Sequence, residues 1–208
     1  MDAWSKRRGL YAIVDAELCR DRDPLAIAER ILLGGCAVLQ LRSKRIDAAA
    51  LEPLAVQMRA LCRARGVPFV VNDHPELALR VGADGVHLGQ DDMPIEQARA
   101  LCRGRLAIGV STHDLAQARA AQLRGADLIG FGPVFATASK HNPDPEVGLP
   151  GLRAACANVS IPVVAIGGIT TVNVVEVARA GAAMAAAIGA LCGAEDPEAA
   201  ALLMHAAF

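Results

Sequence analysis

Pro68-Phe69-Val70-Val71-Asn72-Asp73-His74-Pro75-Glu76-Leu77-Ala78-Leu79-Arg80-Val81-Gly82-Ala83-Asp84-Gly85-Val86-His87-Leu88 holds one full period of the pattern that decides the fold. A short apolar run, dense in β-branched residues, reads as a buried strand. A stretch of helical character follows, and Gly82 ends it in the left-handed conformation before the next apolar run begins. The same punctuation precedes other strands at Gly34-Gly35-Cys36-Ala37, Gly66-Val67, Gly125-Ala126-Asp127 and Gly181-Ala182. Working outward, apolar runs at 10–14, 38–41, 68–71, 85–88, 106–110, 128–131, 162–166 and 184–188 read as strands. Segments such as 47–65 and 114–124 carry apolar residues at three- and four-residue spacing, and a last helix is expected near 197–206.

Eight such units, with a period of about 25 residues, predict a single closed (β/α)8 barrel, the TIM-barrel architecture, over 1–208. An open doubly wound sheet is the competing arrangement. Its Gly-x-Gly-x-x-Gly turn after the first strand is missing, because Asp15-Ala16-Glu17 stands there. The chain's 208 residues suit one barrel domain, at the low end of the usual range of roughly 200–250. With aromatics at 3%, small and branched aliphatics must fill its core.

A formal net charge of −1 gives no global attraction to nucleic acid or a membrane surface. The six cysteines, at 19, 36, 62, 102, 156 and 192, show neither a Cys-x-x-Cys nor a zinc-ligand spacing, and read as buried thiols of a reducing cytosol. The apolar run behind the charged residues 1–9 is too short for a signal segment, and no run of about 20 apolar residues occurs. A cytoplasmic protein is expected.

In Gln40-Leu41-Arg42-Ser43-Lys44 the alternation of a strand puts Gln40, Arg42 and Lys44 on one face and turns Leu39 and Leu41 toward the helices. Two unpaired cations at the interior mouth would ask for an anion, for which a ligand phosphate is the natural candidate, whereas the plainer alternative leaves Arg42 and Lys44 past the strand end in solvent. Asp73 and Asp92 follow the third and fourth strands on neighbouring loops. Magnesium commonly takes one or two carboxylates and completes its shell with water and phosphate oxygens, so this pair is a candidate metal site. The plainer alternative makes Asp73 a turn residue and Asp92 the N-cap of a helix starting near Pro94. Ser111 and His113, after the fifth strand, lack the Gly-x-Ser-x-Gly elbow of a hydrolase, and Ser111 reads as a hydroxyl ligand. His87, within the fourth strand, reads as a hydrogen-bonded core residue. Gly167-Gly168, read as opening a helix, and Ile188-Gly189-Ala190, after the eighth strand, offer backbone amides to a second phosphate. The irregular segment 136–150, with three prolines, reads as a functional loop or lid.

From residue 10 to about residue 191 the chain resembles the thiamine phosphate synthase family. The resemblance is carried by Gln40-Leu41-Arg42-Ser43-Lys44, Val71-Asn72-Asp73, Asp84-Gly85-Val86-His87-Leu88-Gly89-Gln90-Asp91-Asp92 and Gly109-Val110-Ser111. Two more segments complete it, from Gly130-Phe131-Gly132-Pro133 through Lys140, and Ala165-Ile166-Gly167-Gly168-Ile169. It implies an enzyme that joins hydroxymethylpyrimidine diphosphate to a thiazole phosphate, with one magnesium ion per subunit and small phosphorylated molecules as its partners. Homo-oligomers are compatible with it. By resemblance, the stretch from Gln40 to Lys44, with Asn72, Ser111 and Lys140, would hold the pyrimidine diphosphate. Arg42, Lys44, Ser111 and Lys140 would assist the chemistry, and Asp73 and Asp92 would ligate magnesium. Thr137, Ala138, Ser139, Gly167, Gly168, Ile188 and Gly189 would face the thiazole phosphate. The chain departs from the family's pattern at Ser43, where Glu is general, and at Ser139, His74, Met184 and Gly189. The last of these lacks a serine hydroxyl that could bind phosphate. Two further readings share the barrel: a thiazole tautomerase with His113 as acid or base, and a non-catalytic regulatory protein.

Overall fold

The structure is a computed structural model that describes residues 2–137 and 144–208. Eight parallel strands form a closed ring in sequence order. They are β1 (Gly9–Asp15), β2 (Val38–Arg42), β3 (Phe69–Asn72), β4 (Gly85–Leu88), β5 (Ala107–Thr112), β6 (Leu128–Phe131), β7 (Val163–Ala165) and β8 (Met184–Ala187). The ring closes where Gly9 and Leu10 of β1 pair with Met184 and Ala185 of β8. A short α1 (Asp2–Ser5) precedes the ring. Around it lie α2 (Pro24–Gly34), α3 (Ala48–Ala64), α4 (Pro75–Arg80), α5 (Ile95–Cys102), α6 (Leu115–Leu123), α7 (Gly148–Asn158), α8 (Val174–Arg179) and α10 (Pro197–His205). A four-residue α9 (Gly189–Cys192) follows β8 directly.

The helices begin where local chemistry dictates. The carboxylates of Asp47, Asp114 and Asp196 accept hydrogen bonds from the first free amides of α3, α6 and α10. Asp23 does the same for α2, with Pro24 at its first position. Gly66 and Gly82, which follow α3 and α4, stand at φ 65° and 64° and turn the chain into the next strand, as their place in the sequence predicts.

Alternation along each strand builds two cores. Leu10, Ala12 and Val14 of β1, with Leu39 and Leu41 of β2, face the helices and join the larger cluster. Tyr11, Ile13, Val38, Val70, Leu128, Val164 and Met184 point inward and fill the barrel, with Trp4 packed against their cluster. Met184 is fully buried there at the amino end of β8. Its departure from the family's pattern is therefore absorbed by the barrel floor, where an unbranched side chain fills space well.

Three expectations need correction. The glycine pair does not open a helix: α8 starts only at Val174, so its dipole lies a turn away from Gly167 and Gly168. The irregular segment after β6 ends earlier than position 150, because α7 begins at Gly148. Asp92 is not an N-cap, since Pro94 occupies that position of α5 without a side-chain cap.

The two-core arrangement makes a prediction about Met184. Met184→Ala should cost about 2–5 kcal/mol in denaturant unfolding, while phosphate-ligand affinity of the folded variant stays at the wild-type level. A large loss of affinity at unchanged stability would place Met184 in the binding site instead.

Candidate active site

The carboxyl ends of the strands surround a cavity of about 460 Å³. Because the strands are parallel, residues at their ends converge there from loops far apart in sequence. Gln40, Arg42, Lys44, Asn72, Asp73, Asp92, Ser111, Thr137, Gly167 and Ile188 all line it. Gly168 and Gly189 do not line it, nor do Leu41 and Ser43. Leu41 belongs to the outer core, and Ser43 is buried beneath the loop, so either can meet a ligand only through its backbone. Ala138, Ser139 and Lys140 lie outside the described residues.

The cations are not unpaired, which corrects the sequence reading. Asp15 pairs with Arg42 in the β1–β2 register and is 1% exposed, and its carboxylate forms an ion pair with the Arg42 guanidinium. Lys44 Nζ stands 2.5 Å from Asp73 Oδ2. A buried carboxylate fixes the Arg42 fork, whereas Lys44, half exposed on a flexible stem, can exchange partners. Gln40 is buried and donates to the Tyr11 hydroxyl at 2.8 Å. Burial pushes the Tyr11 phenol up, so it stays neutral and retains a proton to donate.

Asp73 takes a left-handed backbone, φ 63°, that a carboxylate side chain tolerates better than most. Its amide donates to the His87 carbonyl at 2.8 Å, so β4 fixes the bend. Asp92 is held by the Gly89 amide at 2.7 Å from its Oδ2. The two carboxylates face each other closely enough to share a hydrogen bond. Burial, reinforced by Asp92, pushes Asp73 up to about 6 despite Lys44. Burial also pushes Asp92 up, but the Asp73 hydrogen bond, the Gly89 amide and Lys44 outweigh it and hold Asp92 low. Like charges forced together in this way suit a hard divalent cation. Among the described residues no group of three or more His, Cys, Asp or Glu forms a metal cage. A pair of carboxylates completed by water and ligand oxygens is the magnesium arrangement that these residues fit.

Ser111 Oγ lies 3.0 Å from His87 Nε2, so its histidine partner comes from the neighbouring strand and not from His113. Burial lowers His87 to about 4 and keeps it neutral. His87 Nδ1 is buried without a partner, and a Cβ on Gly109 would come within 2.5 Å of it. A bare lone pair is cheaper there than an orphaned N–H, so the proton sits on Nε2 and donates to Ser111. The serine hydrogen is then left for a ligand. With no group to orient His87, a nucleophilic triad is incomplete. His113 has Nδ1 2.6 Å from the Gly132 carbonyl and Nε2 3.4 Å from Asp144.

Gly167 and Gly168 have φ 90° and 66°. A Cβ at Gly167 would meet Pro133 at 2.5 Å, and one at Gly168 would meet the Ala136 carbonyl at 2.4 Å. Both glycines are needed for the loop after β6 to lie against the loop after β7. Sequence reading missed Asp15, Tyr11 and Glu17. Asp15 closes the first strand and could have been found by the strand-end rule that found Asp73, whereas nothing local marks Glu17.

Fold and site together define a class: a (β/α)8-barrel enzyme whose mouth sets one fixed and one exchangeable cation beside paired carboxylates. The family described as thiamine monophosphate synthase matches residues 10–191. A thiamine-phosphate synthase of Chloroflexus aurantiacus is 46% identical over 95% of this chain and 91% of its own length. One of Anaeromyxobacter dehalogenans is 47% identical over 96% and 87%. The solved thiamine phosphate pyrophosphorylase of Pyrococcus furiosus superposes with a TM-score of 0.90 at 36% identity, covering 99% of this chain and 97% of its own. A 3-hexulose-6-phosphate synthase, at a TM-score of 0.69 and 20% identity over 96% and 99%, shares the barrel alone. The chain belongs to the thiamine monophosphate synthase family and is an enzyme of the transferase class. No helix among the described residues is long and apolar enough to cross a membrane.

The buried neutral His87 has a thermodynamic consequence. Its folded pKa lies below the unfolded value of 6.5, so the unfolded chain binds the extra proton first. This contribution is complete above pH 6.5 and is lost as pH falls toward 4, by up to about 3 kcal/mol. Urea unfolding of wild type and His87→Gln across that window should show the wild-type slope flattened in the variant. Parallel curves would mean that His87 titrates alike in the folded and unfolded chain, contrary to its burial.

Proposed function

We propose that the chain joins 4-amino-2-methyl-5-hydroxymethylpyrimidine diphosphate to 4-methyl-5-(2-phosphoethyl)thiazole to give thiamine monophosphate and pyrophosphate, with carbon dioxide as a third product where the thiazole carries its carboxylate. The observation that carries this reading is the meeting of Arg42 and Lys44 with Asp73 and Asp92 in one cavity. Family membership and the names of the relatives support it.

The pyrimidine's methylene C–O bond breaks with both electrons leaving on pyrophosphate. The electron-rich aminopyrimidine spreads the positive charge left behind, and the thiazole nitrogen's lone pair then forms the new C–N bond. No protein nucleophile is needed. Arg42, held by Asp15, binds the diphosphate, and Lys44 turns to it from Asp73, with Gln40, Asn72 and, by resemblance, Lys140 alongside. Preformed positive charge at the leaving group lowers the barrier because it is oriented before bond breaking begins. Magnesium held by Asp73 and Asp92 would add positive charge at the departing phosphate oxygens. Ser111, with its hydrogen free, meets the pyrimidine. Thr137, Gly167 and Ile188, which line the cavity, take the thiazole phosphate, with Ser139, Gly168 and Gly189 assigned to it by resemblance alone. Magnesium and these soluble substrates suit the cytoplasm. A tautomerase role for His113 is disfavoured, because it would leave the cluster of Arg42, Lys44, Asp73 and Asp92 in the cavity without a use.

The test is a coupling assay with both substrates, following thiamine phosphate and pyrophosphate together. Equal amounts of both products are expected, and chelation should abolish both. Asp92→Ala should stay folded and lose at least about a hundredfold in turnover, within the range expected when charge stabilisation at a reacting oxygen is removed. Full activity of that variant at low magnesium would contradict the metal assignment, and pyrophosphate release without coupling would contradict the transfer.

A further inference from the structure

The loop after β1 does more than supply the Arg42 partner. Ser43 Oγ donates to Glu17 Oε1 at 2.5 Å. The backbone amides of Lys44 and Arg45 donate to Glu17 Oε2 and Oε1, both at 3.2 Å. Three donors from successive residues therefore converge on a single carboxylate. The Ile46 amide in turn donates to Ser43 Oγ at 2.9 Å, which closes the turn on itself. Glu17 is anchored from behind, because its own amide and that of Leu18 donate to Asp15 Oδ1, each at 3.1 Å. The Ala16 amide meets the Arg42 carbonyl at 2.9 Å.

We propose that Glu17 is a positioning residue for the diphosphate half-site: its carboxylate shapes the Ser43–Arg45 turn from the neighbouring loop and so sets where the Lys44 ammonium stands. The physical case is one of reach. Lys44 has a long, flexible stem, so the place from which it can meet a ligand is set by its backbone. That backbone follows β2 and has left the ladder of strand hydrogen bonds. Glu17 supplies the acceptor its amide would otherwise lack. Asp15 and Glu17, two residues apart, thus have separate roles, the first holding the Arg42 side chain and the second the Lys44 main chain. Ser43 matters here as a donor to Glu17 and has no contact with the cavity. This assignment rests on the diphosphate reading of Arg42 and Lys44.

The experiment titrates inorganic pyrophosphate into wild type, Glu17→Gln and Glu17→Ala at fixed magnesium, and measures KM for each substrate in the coupling reaction. Loss of charge-assisted hydrogen bonds to the turn should weaken pyrophosphate about tenfold in Glu17→Ala. Glu17→Gln keeps one acceptor oxygen and should fall between. KM for the pyrimidine diphosphate should rise in the same order, while KM for the thiazole phosphate stays within about twofold. A merely structural role would move both KM values together with the melting temperature. If Glu17→Ala does not fold, Glu17→Gln carries the comparison. Equal pyrophosphate affinity in wild type and the soluble variants overturns the positioning role. Failure of wild type itself to bind pyrophosphate overturns the diphosphate reading, and the positioning role with it.

Discussion

Pairing of β1 with β8, from Gly9 opposite Met184 to Ala12 opposite Ala187, closes the ring, and the rest of the molecule depends on it. Without closure, β1 and β8 would be free edges and their loops would lie at opposite sides of a sheet. With closure, every carboxyl end faces one opening, and Ile188, after β8, reaches the same cavity as Lys44, after β2. The strands are short, four or five residues in most cases, so few inward-facing layers fit along the axis. The lower layers are filled by Val38, Val70, Leu128 and Met184, which leaves the mouth for polar groups.

A chain of formal net charge −1 can hold cations in such a mouth only by balancing them locally. Two kinds of balance are present. Arg42 with Asp15 is deeply set, and there each partner keeps the other from standing as an uncompensated buried charge. Lys44 with Asp73 is half open to solvent and exchangeable. Asp73 and Asp92 repel each other, and their repulsion is relieved by a proton or by a cation. Fixed and exchangeable charge thus stand side by side on adjacent strands.

The barrel was legible because its period is written in apolar runs and helix-ending glycines, both of which act locally. Strand alternation correctly separated Gln40 and Arg42 from Leu39 and Leu41, since it depends only on backbone geometry. Strand-end position was enough to bring Asp73, Asp92 and Ser111 into the cavity. What failed were statements about pairing. Arg42 looked unpaired because Asp15 lies 27 residues away in sequence, and nothing in the sequence named Ser111, 24 residues from His87, as the partner of that core histidine. Gly167 and Gly168 looked like a helix opening because such pairs often are. Their positive φ values and close contacts with the preceding loop answer a packing demand made across β6 and β7. Met184 read only as a departure from the family's pattern, because a position in a sequence carries no depth, and its place on the barrel floor shows only in three dimensions.

The most direct test of the charge arrangement is a crystal structure with pyrophosphate and manganese in place of magnesium, read by anomalous scattering. The prediction is one manganese between the Asp73 and Asp92 carboxylates, bridged to a pyrophosphate that touches Arg42 and Lys44. Manganese elsewhere, or pyrophosphate bound only beside Gly167 and Ile188, would contradict it.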